Sequence, residues 1–124
     1  MNFPIERRRF PRVETKLPLK YKMIGKLRFC SMTYTKNISV GGAKFIVDRY
    51  INFADRIVVE ITLAGQYTPV RVIAKVAWIQ KMPYNDNYII GGHFVDMSRK
   101  DKRILGQYID GLIGNQFVEA GNYI

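Results

Sequence analysis

Along most of the chain the hydrophobic pattern has a period of two. Leu17, Leu19, Tyr21 and Met23 alternate with polar or turn-tolerant residues, and Cys30, Met32 and Tyr34 alternate with Ser31, Thr33 and Thr35. Ala43, Phe45 and Val47 follow a Gly41-Gly42 pair. Ile57, Val59, Ile61 and Leu63 alternate through Glu60 and Thr62, and Val70, Val72, Ala74, Val76 and Trp78 through Arg71 and Lys75. A sixth apolar segment, Tyr88 to Val95, carries Gly91 and Gly92 in its middle. Alternation of this kind predicts half-buried strands. The breaks between segments are turn chemistry at Gly25, Gly41-Gly42, 52–55, 64–66 and 83–87. Glycines inside the sixth segment predict a bulge or a tight bend.

After the sixth segment the period changes. Ile104, Leu105, Tyr108, Ile109, Leu112 and Ile113 fall on one face of a helix. Ser98, with Asp101 three residues on, predicts its N-terminal cap, and Gly114 is a candidate stop, which makes a helix of about four turns. The expected fold is mainly β: a six-stranded antiparallel barrel with a C-terminal α-helix packed on it or on a partner. Residues 1–14, with Pro4 and Pro11 and no clean period, read as a basic irregular leader. Residues 15–115 read as barrel plus helix, and 116–124 as a tail.

Composition adds one thing to this picture. The 124 residues make one domain, and 48% hydrophobic residues suffice for a core. The formal net charge is +10. Residues 1–30 hold nine basic and two acidic residues, so +7 of it sits in the first quarter. A local excess of that size predicts an anionic partner. The single cysteine, Cys30, excludes an internal disulfide and a cysteine-rich zinc site and fits a reduced compartment. No apolar run approaches the roughly 18 residues of a membrane span. The N-terminal residues do not read as a signal peptide, so a cytoplasmic location is expected.

The catalytic inventory is thin. His93 is the only histidine and lies in a predicted strand between Gly92 and Phe94. Cys30 reads as a small buried hydrophobe. The acids are scattered, with none of the loop or metal-ligand motifs that carry phosphate or metal chemistry. The expectation is no enzyme, no metal and no cofactor.

Two clusters are more specific. Four arginines and no lysine fall within residues 7–12: Arg7, Arg8, Arg9 and Arg12. The guanidinium fork grips phosphate bidentately and fits the O6 and N7 edge of guanine. Pro11 disfavours a helical Phe10, holding the segment extended. The second cluster is Asn37-Ile38-Ser39-Val40-Gly41-Gly42. On an extended chain Asn37 and Ser39 face one side, where an amide and a hydroxyl can bond a phosphate, a ribose or a base edge. Gly41 and Gly42 offer positive φ and close ligand approach. Taken alone, each cluster has a plain alternative, a solvated tail for the first and an ordinary turn for the second.

Together, Arg8-x-x-x-Arg12 preceded by Arg7, and Asn37-x-Ser39-x-x-Gly42 some 25 residues later, resemble the PilZ domain family over Glu6 to about Asn115. PilZ domains are bacterial receptors for cyclic di-GMP. The resemblance implies a small barrel with a C-terminal helix, and a ligand held between the arginine leader and the barrel's outer face. It implies that Arg8 and Arg12 grip phosphate and guanine, with Asn37, Ser39 and Gly42, beside Gly41, completing the contacts. The doubled Arg7-Arg8 looks like the form of the motif associated with two stacked ligand molecules. Trp78 lies on a strand where some members place a residue against the ligand, although packing is the plainer reading.

The leader is then expected to order around the ligand and signal to a downstream protein partner. Motility, exopolysaccharide, pili and transcription are all open as outputs, and so is a monomer or a dimer. Two rivals remain. One is a barrel that binds nucleic acid through the basic leader, which would need exposed aromatics. Tyr21, Tyr34, Phe45 and Trp78 fall at packing positions, which counts against it. The other is a PilZ-like adaptor that binds only protein, whose members usually lack one or both motifs.

Overall fold

The computed structural model describes residues 11–30 and 32–121, with backbone alone for 115–121. The strands are β1 (Val13–Glu14), β2 (Pro18–Met23), β3 (Thr33–Ser39), β4 (Gly42–Val47), β5 (Arg56–Ile61), β6 (Val70–Lys81) and β7 (Tyr88–Met97), followed by the helix α1 (Arg99–Gly121). All pairings are antiparallel, in the spatial order β3-β2-β5-β6-β7-β4. Pairing of β3 with β4 closes this six-stranded barrel, and β1 lies outside it on β3. Closure satisfies both edges that an open sheet would leave bare.

The core follows the alternation. Leu17, Leu19 and Tyr21, then Ala43, Phe45 and Val47, then Ile57, Val59, Ile61 and Leu63, and finally Val70, Val72, Ala74 and Val76 are buried. Each large side chain so removed from water contributes about 1.5–3 kcal/mol. Leu105 and Ile109 of α1 join the same core, with Ile104, Tyr108, Leu112 and Ile113 half-buried against it. The helix therefore packs on its own barrel. The Ser98 hydroxyl accepts the Asp101 amide at 3.0 Å, the expected cap. The Asp101 carboxylate turns instead to the Arg71 amide of β6, also at 3.0 Å, and ties the helix start to the sheet.

Three expectations change. Val13 and Glu14, read as leader, form a strand, with Val13 buried. Gly114 does not stop α1, which runs 23 residues through part of the expected tail. One glycine costs a helix only about 1 kcal/mol and no proline follows. The third change is the phase of the second segment. Cys30 and Met32 precede β3, Cys30 is half-buried, Tyr34 is exposed, and Thr35 points inward. The Thr35 hydroxyl accepts the Leu17 amide at 2.9 Å and donates to the Thr15 carbonyl at 2.5 Å, so a polar residue is satisfied there. A register shift between Thr35 and Asn37 resets the alternation, leaving Ile38 buried and Asn37 outward.

Tyr21 provides a test of the core. Its ring packs against Phe45 and its hydroxyl donates to Asp48 Oδ1 at 2.6 Å. Burial and then the Asp48 hydrogen bond hold the phenol well above the ordinary tyrosine range. The unfolded chain releases this proton near about pH 10 while the folded chain keeps it. The stabilisation is thus whole below that pH and is lost as pH rises beyond it. Tyr21→Phe is expected to cost ~1 kcal/mol at neutral pH and to flatten the alkaline loss of stability in denaturant titrations. An unchanged alkaline slope would refute the assignment.

Candidate site on the outer face of the barrel

Arg12, the last residue of the first cluster, comes beside the second, some 25 residues on in sequence, because β1 runs along β3. Val13 is opposite Ile38 and Glu14 opposite Asn37, and one step on this register carries Arg12 alongside Ser39. Val13 points inward, so Arg12, which is exposed, belongs to the outward row with Asn37 and Ser39. Arg7 and Arg8 lie outside the described residues.

Val40 and Gly41 form the turn between β3 and β4, and Ser39 is opposite Gly42. The Ser39 side chain is 5% exposed. Its hydroxyl accepts the Gly41 amide at 3.1 Å and donates to the Gly42 carbonyl at 3.4 Å, so it first builds the turn. The expected positive φ at Gly41 and Gly42 is absent: among the described residues it occurs at Gly25, Gly65 and Ala54. Gly42 is needed for another reason. A Cβ there would run into the Gly92 carbonyl oxygen of β7.

Outward neighbours extend the site. Asn37 is opposite Lys44, Lys44 opposite Gly91, and Gly91 opposite Trp78. The Trp78 indole lies over Gly91, where a Cβ would overlap it, and Lys44 Nζ stands 5.9 Å from the ring centroid. The register shift in β6 between Val76 and Trp78 is opposite Gly91 and Gly92, which places the bulge predicted from those glycines. Trp78 is 38% exposed and Tyr34 45%, against the packing expected of both, whereas Tyr21 and Phe45 are buried as expected.

A groove of about 700 Å³ runs along β1 and β3, lined by Lys16, Tyr34, Lys36, Asn37 and Lys44 among others. That is within the roughly 300–1,000 Å³ of small-molecule sites. Lys16 Nζ lies 4.9 Å from the Tyr34 ring centroid. Three lysines, an amide and an aromatic face suit an anion that also carries planar rings. Lys44 was legible in principle, since a two-residue turn with Ser39 opposite Gly42 sets it opposite Asn37. His93 is exposed, opposite Gly42. No cluster of metal-ligating side chains occurs among the described residues, nor any helix long and apolar enough to cross a membrane.

The PilZ domain family model matches residues 6–111. The Bacillus subtilis inhibitor of motility (MotI/DgrA) superposes with a TM-score of 0.69 at 20% identity, covering 90% of this chain and 51% of that one. Escherichia coli YcgR in complex with c-di-GMP gives 0.70 at 17% identity, covering 95% and 51%. Klebsiella pneumonia MrkH gives 0.67 at 17% identity, covering 100% and 53%. The chain thus spans about half the length of these three neighbours. At such identities the likeness is one of fold. Curated proteins yield no sequence match.

Proposed function

The chain belongs to the PilZ domain family, and from that membership we propose that it is a non-catalytic receptor for cyclic di-GMP. The observation that carries the reading is the β1–β3 pairing, which sets Arg12 on the same outward row as Asn37 and Ser39 beside a groove edged by lysines. Arg7 and Arg8 belong to the site through the sequence motif. In this reading the arginine forks hold phosphate and guanine edges, and Asn37 bonds a ribose or base edge. Ser39 acts mainly by shaping the turn, Gly41 and Gly42 keep that turn low enough for the ligand to approach, and Lys44 adds a point charge. The signal is the closure of the leader over the ligand, which presents a changed surface to a downstream protein.

Titration calorimetry with cyclic di-GMP, GTP and a random single strand tests the reading. Saturable binding of cyclic di-GMP, far tighter than GTP, is expected, with added amide protection across residues 7–12 on binding. A second reading, a nucleic-acid-binding barrel, gains from exposed Tyr34 and Trp78 on the cationic face. Tight, strongly salt-dependent binding of the single strand with none of cyclic di-GMP would select it.

A further inference from the structure

The outward face of β2, β5, β6 and β7 carries two cross-strand rows of opposite character. In one, Lys20, Glu60 and Arg71 are in register, and Glu60 pairs with Lys20 at 3.9 Å and Arg71 at 3.4 Å. In the other, Arg56 is opposite Lys75, Lys75 opposite His93, and His93 opposite Gly42. Arg56, Lys75 and His93 are all exposed, and no ion pair is made by either of the two permanent cations among the described residues.

Facing Cβ atoms in such pairs are about 5 Å apart, and like charges directly opposite destabilise a sheet. The first row shows that this sheet can neutralise its cations in register. In the second the opposition stands, and its last member adjoins Gly42, an outward position with no side chain. A pair of cations set directly opposite each other, continued by an exposed imidazole and ending at a candidate ligand site, has the form of an anion site.

We propose that Arg56, Lys75 and His93 form an anion-binding strip that carries a phosphate of the nucleotide held at the Ser39–Gly42 turn. The nature of the anion rests on the cyclic di-GMP reading, whereas the strip as an anion site does not. His93 stands next to the turn, Lys75 one strand further and Arg56 two. The other charged groups around His93 are Lys44, two residues along β4 from Gly42, and Asp96, further along β7 opposite Ile73.

The test uses the full chain. His93 is the only histidine, so its imidazole proton signals are unambiguous in NMR spectra. Inorganic pyrophosphate is titrated into the wild type, into the Arg56→Gln Lys75→Gln double variant and into Lys20→Gln. Saturable shifts of the His93 signals are expected in the wild type and Lys20→Gln, and weaker saturation, by about tenfold, in the double variant. The double variant should melt no lower than the wild type, because it removes opposed charges. Unmoved His93 signals, or identical titrations in the wild type and the double variant, overturn the strip. Cyclic di-GMP is then titrated into the same proteins. A strip that binds pyrophosphate in a wild type that binds no cyclic di-GMP keeps the anion site and sinks the receptor reading. Equal cyclic di-GMP affinity in wild type and double variant removes the strip from that ligand's site.

Discussion

Replacing Arg8 and Arg12 by lysine is expected to lower cyclic di-GMP affinity about tenfold to a hundredfold at each position, although the net charge stays at +10. Lysine keeps the positive charge and loses the fork, so a site that reads guanine and phosphate bidentately loses a paired contact at each substitution. A surface that binds polyanions through counterion release responds to the number of charges and is nearly indifferent to the swap. Lys26→Ala with Lys102→Ala supplies the comparison. Both residues are exposed and neither lines the groove, so the pair removes two charges from elsewhere. The receptor reading expects a steep loss for the charge-conserving pair and a mild, salt-sensitive loss for the charge-removing one. Calorimetry at two salt concentrations separates the cases, and the reverse order favours nucleic acid.

Gly42→Ala is expected to destabilise the barrel by about 1–3 kcal/mol and to abolish ligand binding in the folded fraction. The added methyl meets the Gly92 carbonyl oxygen, a backbone atom that can withdraw only if β4 and β7 part. Those strands are in register from Gly42–His93 to Val47–Tyr88, and Phe94 donates its amide to the Gly41 carbonyl at 2.9 Å, so local withdrawal disturbs both the closing seam and the turn. Gly92→Ala is the control. Its methyl would meet Ala74 Cβ at 3.4 Å, Phe45 Cε1 at 3.5 Å and the Ala43 carbonyl at 3.8 Å, ordinary contacts that the site tolerates. Thermal melts should place Gly42→Ala several degrees below Gly92→Ala. Equal melting temperatures would contradict the close approach at Gly42.

Much of this molecule is dictated locally. Alternation in the segments of β2, β4, β5 and β6 marks the buried face because each strand has one side in the core and side chains alternate strictly. The change of period after Ser98 marks α1, and its cap is a local hydrogen bond. The chemistry of the candidate site is equally local: arginines, an amide, a hydroxyl and glycines at fixed spacing. What local pattern cannot carry is phase and adjacency across strands. The phase of β3 depends on Thr35 finding partners at Leu17 and Thr15, and on the slip before Asn37. The exposure of Trp78 depends on Gly91 leaving room beneath its ring on the neighbouring strand. Gly42 reads locally as a residue for an unusual φ, but a carbonyl some fifty positions away is what excludes a side chain there. The residues of the turn are written in the sequence, whereas their meeting with Arg12 and with the Arg56–Lys75–His93 row is decided by strand pairing. Hydrogen-bonded register sets which side chains become neighbours, and it exists only once the barrel has closed.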